Sequence, residues 1–119
     1  LVSIDPRGRV AQCDCWVTSY PDHHYGNIFE SPNFGELLKT SAARQQFNQR
    51  PIHLVQRDCL DCNYLALCHG GCPVRTYTVY GSLFEKDPYC ELYLALFARM
   101  ERAARERAQA AVATRRRAA

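Results

Sequence analysis

Residues 57–73 read RDCLDCNYLALCHGGCP, a stretch with four cysteines and two adjacent glycines. Few of its side chains are large enough to fill a core, so the stretch predicts a ligand loop. With Cys90, the spacing is Cys59-x2-Cys62-x5-Cys68-x3-Cys72-x17-Cys90. A 4Fe-4S cluster needs four thiolates, which a short Cys-x2-Cys loop, one nearby thiol and a distant closing cysteine can supply. The spacing therefore favours an iron-sulfur cluster.

Zinc is the main alternative metal. Four-cysteine zinc sites also begin with Cys-x2-Cys, but their second pair usually follows about a dozen or more residues later. Here only five residues separate Cys62 from Cys68. A cysteine-rich zinc module with a basic, nucleic-acid-contacting C-terminal segment stays open as a second interpretation.

Two disulfide-based interpretations are disfavoured. The seven cysteines are an odd number, which argues against complete pairing in a secreted chain. A redox thiol protein would carry its Cys-x2-Cys at the start of a βαβ unit, and the sequence around Cys59 has no such pattern.

The charge of the chain is unevenly distributed. The 119 residues, enough for one compact domain, carry a net charge of +3. Residues 99–119 hold seven arginines against two glutamates, which leaves −2 for the rest. We divide the chain into a metal-binding body, residues 1–100, and a basic Ala/Arg-rich helical tail, residues 101–119. The tail lacks the aromatic residues that stack on bases, so nucleic-acid contact is disfavoured.

The sequence predicts a cytoplasmic protein without membrane contact. No apolar run approaches the roughly 20 residues of a membrane span. Asp5 and Pro6 interrupt the N-terminal segment where a signal peptide would need an apolar run. The odd thiol count fits a reducing cytosol. Because the chain starts at Leu1 rather than Met, we expect it to be a fragment of a longer protein.

The N-terminal third predicts a hairpin followed by a loop. Asp5-Pro6-Arg7-Gly8 carries residues in their preferred turn positions between two short extended segments, so we predict a β-hairpin that ends at Cys13. The irregular stretch from Trp16 to Phe29 predicts a loop with a short extended piece, in which Trp16 packs.

The remaining elements are predicted to be helices. Ser31 as N-cap and Pro32 in the first turn predict a short helix, followed by a helical turn over residues 42–47 that stops at Pro51. Asp87 and Pro88 introduce the longest helix, whose apolar stripe runs from residue 89 to 100 and which frays by residue 115. The predicted fold class is α+β: a small iron-sulfur-organised domain with an N-terminal β-hairpin, short helices, a Cys-rich loop and a C-terminal helix.

The cysteine pattern, together with Gly8-x4-Cys13, resembles the SPASM domain, the auxiliary cluster-binding C-terminal domain of many radical S-adenosylmethionine (SAM) enzymes. The resemblance covers about residues 2–100 and includes the turn Tyr25-Gly-Asn-Ile28 and the ending Tyr89-Cys90-x2-Tyr93-x3-Phe97. Within that family the pattern is similar to anaerobic sulfatase-maturating enzymes, which oxidise a Ser or Cys of a target protein to formylglycine.

The resemblance implies a division of the cysteines between two 4Fe-4S clusters. Cys59, Cys62, Cys68 and Cys90 would hold one cluster, and Cys13 and Cys72 would belong to the other. The family's other cluster takes two further cysteines upstream of Gly8, which this sequence lacks, so that second site is incomplete here. Cys15 does not match the family pattern, and we expect it to be a free or core thiol.

The resemblance also implies roles for Asp14 and for partners. In sulfatase-maturating members an aspartate at the position of Asp14 accepts the substrate proton, which a carboxylate beside a cluster can do. A surface or turn aspartate is the alternative. The SAM-cleaving motif Cys-x3-Cys-x2-Cys is absent from the sequence. SAM would therefore bind a missing N-terminal radical SAM core domain or subunit, and the chain alone should not act on its peptide or protein substrate.

Overall fold

The computed structural model describes residues 1–117 and has the predicted α+β fold. The last two residues of the predicted basic tail lie outside this range. In chain order the elements are β1 (Ser3–Ile4), β2 (Arg9–Ala11), α1 (Asp14–Ser19), a 3-10 helix (Pro21–His23), β3 (Gly26–Asn27), α2 (Phe34–Thr40), α3 (Ala42–Leu54), a π-helical turn (Val55–Cys59), α4 (Leu65–Cys68), α5 (Pro73–Tyr80) and α6 (Cys90–Arg117).

The N-terminal hairpin is confirmed and gains a third strand. β2 pairs antiparallel with β1 on one side and with β3 on the other. The Asp5 carboxylate accepts hydrogen bonds from the backbone N–H groups of Arg7 and Arg9, which closes the turn. The predicted end at Cys13 is wrong, because β2 ends at Ala11 and the extended backbone of Cys13 forms the N-cap of α1.

The stretch predicted as a loop after Trp16 contains most of α1 and the 3-10 helix. Helix α1 is too short to show a helical repeat in the sequence, and burial of Trp16 and Val17 fixes it against the sheet. The predicted packing of Trp16 is confirmed, since the side chain is fully buried. Its ring lies 4.5 Å from that of His23 and 5.2 Å from that of Phe47, measured between centroids.

The buried His23 makes stability depend on pH. Burial lowers the pKa of His23, an effect that Asp22 partly opposes. Since the unfolded chain then takes up the proton first, we expect the free energy of unfolding to fall as the pH drops below about 6.5, until the folded-state pKa is passed. Denaturant titrations between pH 5 and 8 should show this slope in the wild type and in the exposed-site control His53→Gln. If the stability of His23→Phe depends on pH as steeply as that of the wild type, His23 is not the cause of the pH dependence.

Two predicted helix boundaries are wrong. Asn33, not Ser31, caps α2, because its side chain accepts hydrogen bonds from the backbone N–H groups of Gly35 and Glu36. Pro51 does not stop α3, which continues to Leu54 and into the π-helical turn. The buried side chains of Arg50 and Leu54 hold the helix on both sides of the proline, which removes one backbone donor.

Helix α6 leaves much of its apolar stripe exposed. It begins at Cys90, and the Asp87 carboxylate accepts a hydrogen bond from the backbone N–H of Tyr89. Tyr93 and Phe97 are half-buried, whereas Leu96 and Met100 are exposed. The helix is still formed at Arg117, past the predicted fraying point, and contributes to the extents of 66 × 32 × 22 Å. None of the described helices is both long and apolar enough to cross a membrane.

Candidate metal centre

Three of the predicted ligands surround one open cavity. Cys59 is buried at the end of the π-helical turn, and the backbone N–H of Cys62 donates to its carbonyl over 3.2 Å. Cys90 is the first residue of α6. These cysteines line a cavity of about 450 Å³ whose rim includes Arg57, Lys86 and Glu91.

Cys68 contributes to the electrostatic environment of the thiols of Cys59 and Cys90. Burial raises the pKa of the Cys59 thiol, and Cys62, Cys90 and Cys68 raise it further, as does Asp58. Burial also raises the pKa of Cys90, which Cys68 and Cys62 raise further while Lys86 opposes them. Cys59, Cys62, Cys68 and Cys90 are called here the Cys59 group. Within it, the other cysteines disfavour ionisation of Cys59, and Cys68 and Cys62 disfavour ionisation of Cys90. A bound metal cation instead favours ionisation of the cysteines, because cysteine binds metals as the deprotonated thiolate.

Cys68 and Cys72 lie at the two ends of a sharp turn. His69, Gly70 and Gly71 all have positive φ angles, between 51° and 79°, and the N–H of Gly71 donates to the Cys68 carbonyl over 2.9 Å. Cys68 does not line the cavity described above but shares a second one, of about 390 Å³, with Cys72. His69 is exposed. The predicted ligand loop therefore includes the short helix α4 and this turn.

A second set of donor atoms lies at the start of α1. The ligand atoms of Cys13, Asp14 and Cys15, called here the Cys13 group, all lie within 4.8 Å of one another. Asp14 raises the pKa of Cys15, as do burial, Cys13 and Cys72. Cys15 is exposed, so it is not a core thiol. Such a compact set suits one tetrahedral ion, for which metal–sulfur distances are about 2.3 Å.

Asp87 connects Cys72 with the start of α6, a role that sequence reasoning missed. Its carboxylate is buried, accepts a hydrogen bond from the Cys72 N–H, and pairs with the Arg75 guanidinium over 2.7 Å. Burial would raise the pKa of Asp87, but Arg75 and the N–H groups of Tyr89 and Cys72 outweigh it and lower the pKa. The Arg75 side chain is 34% exposed and is the ion-pair partner of Asp87. The signal in the sequence was the Asp before Pro88, which was interpreted only as a helix cap.

The close approach of Gly71 to Asp87 gives a stability prediction. A Cβ on Gly71 would lie 2.6 Å from Asp87 Cγ, whereas a Cβ on Gly81 would meet nothing within 4 Å. Both glycines have positive φ, so Gly81→Ala should lower the free energy of unfolding by roughly 1–2 kcal/mol through backbone strain alone. Gly71→Ala should cost a further 1–3 kcal/mol, roughly, from the clash. Urea denaturation measures the loss of stability in both variants. Equal losses for Gly71→Ala and Gly81→Ala would contradict the close approach of Gly71 to Asp87.

The donor set fits a thiolate-bound metal centre. Soft thiolates select zinc, copper(I) and iron-sulfur clusters over hard, oxygen-loving ions. The Cys59 group offers four cysteines, three of which line one open cavity, and the Cys13 group offers two with a carboxylate. The chemistry of the donors therefore permits an iron-sulfur cluster at the Cys59 group.

Comparisons with known proteins find partial relatives, including the following two. An uncharacterized protein of Archaeoglobus fulgidus is 38% identical over 110 residues, which covers 78% of this chain and 26% of that protein. The Fe-coproporphyrin III synthase of Methanosarcina barkeri is 32% identical over 74 residues, which covers 59% of this chain and 18% of the synthase. The chain thus spans about a quarter or less of these curated relatives. No family model matches the chain, and no solved structure matches it significantly.

Proposed function

We propose that this chain is an auxiliary 4Fe-4S-binding domain of a radical SAM enzyme. The observation that carries the proposal is the placement of Cys59, Cys62 and Cys90 around one open cavity, with Cys68 acting on the ionisation of Cys59 and Cys90. The partial similarity to the synthase supports the radical SAM link. The spacing of Cys59, Cys62, Cys68 and Cys90 favours a cluster over zinc.

Under this proposal the Cys59 group holds one cluster, and Cys13 and Cys72 belong to a second site. A bound cluster supplies a one-electron donor or acceptor near the substrate. The chain's own contribution is to fix the ligands: Asp87 holds the backbone of Cys72 through its carboxylate and that of Cys90 through its carbonyl, 2.9 Å from the Cys90 N–H.

Two substrate classes follow from different observations. The family resemblance favours a peptide or protein side chain, as in formylglycine formation, with exposed Asp14 as the proton acceptor beside Cys13. The name of the synthase relative favours a tetrapyrrole. The radical SAM core that acts on either substrate would be a further domain or subunit, and we propose a cytoplasmic location.

Anaerobic reconstitution with iron and sulfide, followed by metal analysis, tests the proposal. About four irons per chain would support one complete cluster, and about eight would support two. One zinc per chain with no iron, together with salt-dependent binding to an oligonucleotide, would instead favour the zinc module.

Binding measurements on the reconstituted chain separate the substrate classes. A change in the absorption spectrum of coproporphyrin III, without binding of a cysteine-containing peptide, would favour a tetrapyrrole. Peptide binding without the porphyrin change would favour a protein substrate, and Asp14→Asn should then leave the peptide affinity nearly unchanged, because a proton acceptor acts in a later step.

A further inference from the structure

Arg50 places a buried positive charge among the elements that carry the cysteines. The residue is 4% exposed, and its guanidinium donates to the carbonyls of Gly70 (2.6 Å), Glu85 (2.9 Å) and Leu83. Gly70 belongs to the turn between Cys68 and Cys72, and the other two carbonyls precede α6. One side chain of α3 therefore joins the ligand loop to the segment that leads to Cys90.

A further contact connects Arg50 with Cys72. The hydroxyl of Thr76, which is fully buried, donates to the Cys72 carbonyl over 3.0 Å and lies 3.5 Å from Arg50 Nη2. A Cβ on Gly70 would lie 3.9 Å from the same nitrogen. The guanidinium is thus enclosed by backbone and hydroxyl oxygens.

The charge of Arg50 is not balanced by a bonded carboxylate. Within the described part of the chain no carboxylate forms an ion pair with it. The acid that acts on it is Asp87, which is itself paired with Arg75. Carbonyl oxygens satisfy the hydrogen-bonding capacity of a guanidinium but not its full charge, and a buried unpaired charge is costly.

The other negative groups that act on Arg50 are cysteines. Burial lowers the pKa of Arg50, while Asp87 and then Cys59, Cys72 and Cys68 raise it. These cysteines are neutral as thiols and become negative when they bind a metal. The missing counter-charge of Arg50 therefore arises when metal binds.

We propose that Arg50 is the counter-cation of the metal-bearing thiolates, and that it raises both their metal affinity and the reduction potential of the centre. The expected effect on the reduction potential rests on the proposed function, because it needs an iron-sulfur cluster. The expected effect on metal affinity does not, because Arg50 would compensate thiolate charge for any bound metal. Arg50 acts as a positioning and charge-compensating residue, because it touches the loop backbone and not the metal.

Titration of the full chain with Co²⁺ alone, followed by thiolate-to-metal absorption, tests the affinity. A Cys13→Ala, Cys15→Ala background limits binding to the Cys59 group. In that background Arg50→Gln should lower the Co²⁺ affinity by about tenfold. The control Arg44→Gln removes one positive charge and one carbonyl contact, to Leu38 over 3.1 Å, from the same helix and should stay within about twofold. Equal affinities in the wild type and in folded Arg50→Gln would overturn the proposal.

If Arg50→Gln does not fold, Arg50→Lys provides the test of charge compensation. A buried ammonium loses its proton far more readily than a guanidinium does. The ratio of the Arg50→Lys affinity to the wild-type affinity should therefore fall by about tenfold between about pH 6.5 and 9. A ratio that does not change with pH would contradict charge compensation.

The reconstituted protein provides the second readout. At a fixed potential, the ratio of reduced to oxidised centre should be about tenfold lower in Arg50→Gln than in the wild type, which corresponds to about 59 mV for a one-electron couple. A chain that binds Co²⁺ with the expected Arg50 effect but takes up no iron or sulfide would refute the proposed function alone. A fully loaded Arg50→Gln with unchanged affinity and potential would refute the Arg50 inference alone.

Discussion

Cys62→Ala is expected to reduce the iron bound after anaerobic reconstitution from roughly four atoms per chain to fewer than about one. Cys62 follows the π-helical turn and lines the cavity with Cys59 and Cys90, so its loss removes one corner of the proposed ligand set. Three remaining thiols cannot complete a four-cysteine cluster. Iron and sulfide analysis, with the visible absorption of the cluster, measures the effect.

Cys15→Ala is the matched control for this prediction. It also removes one thiol, but from the exposed start of α1, where Cys15 belongs to the Cys13 group. Its iron content should therefore stay near that of the wild type if only the Cys59 group is loaded. A Cys15→Ala variant that loses all its iron would show that the ligand assignment is wrong.

Asp87→Asn is expected to lower the free energy of unfolding by about 3 kcal/mol. The Asp87 side chain is 1% exposed and the paired Arg75 side chain is 34% exposed, so the change leaves a half-buried guanidinium without its counter-charge. It also weakens the acceptor for the N–H groups of Cys72 and Tyr89. Urea denaturation of the metal-free chain measures this loss without interference from the metal.

The pH dependence provides a second test of Asp87. Its folded-state pKa is lowered, so its contribution to stability is present above the unfolded value of about 3.9 and is lost as the pH falls through the folded pKa. Asp87→Asn should flatten the dependence of stability on pH in that range.

The exposed ion pair between Arg57 and Glu85, at 3.2 Å, is the control for the loss of stability in Asp87→Asn. Arg57→Gln should lower the free energy of unfolding by at most about 1 kcal/mol. Equal losses for the two variants would contradict the role of Asp87.

Elements with local causes could be predicted from the sequence. The first hairpin follows from Asp5, which closes its own turn through bonds to Arg7 and Arg9, two and four residues away. The start of α6 likewise depends on Asp87, whose carboxylate caps the chain at Tyr89. In both cases the donor and the acceptor are neighbours in the sequence, so the residue pattern contains the interaction.

Elements fixed by distant contacts could not be predicted. Helix α1 depends on the burial of Trp16 against Phe47 and Tyr77, and the turn of α3 beyond Pro51 depends on the burial of Arg50 and Leu54. The eight-residue helix α5 was missed for a similar reason, since its buried residue is Thr76, a poor indicator of a core. Tertiary packing outweighs local preference in each case.

The residues of the candidate site could likewise be predicted only in part. The family resemblance, and not the spacing alone, groups Cys59, Cys62, Cys68 and Cys90 as ligands of one cluster, and this grouping stays a prediction. No local pattern indicates the role of Arg50, because its hydrogen bonds reach carbonyls 20, 33 and 35 residues away. Cys15 was expected to be a free or core thiol because it does not match the family pattern, yet the start of α1 brings its sulfur within 4.8 Å of that of Cys13.

The content of inorganic sulfide in the anaerobically reconstituted chain tests the central claim most directly, because neither a zinc site nor a disulfide contains it. The account predicts sulfide and iron in nearly equal amounts, about four of each per chain, both lost in Cys62→Ala. Tightly bound zinc with no sulfide in the wild-type chain would contradict it.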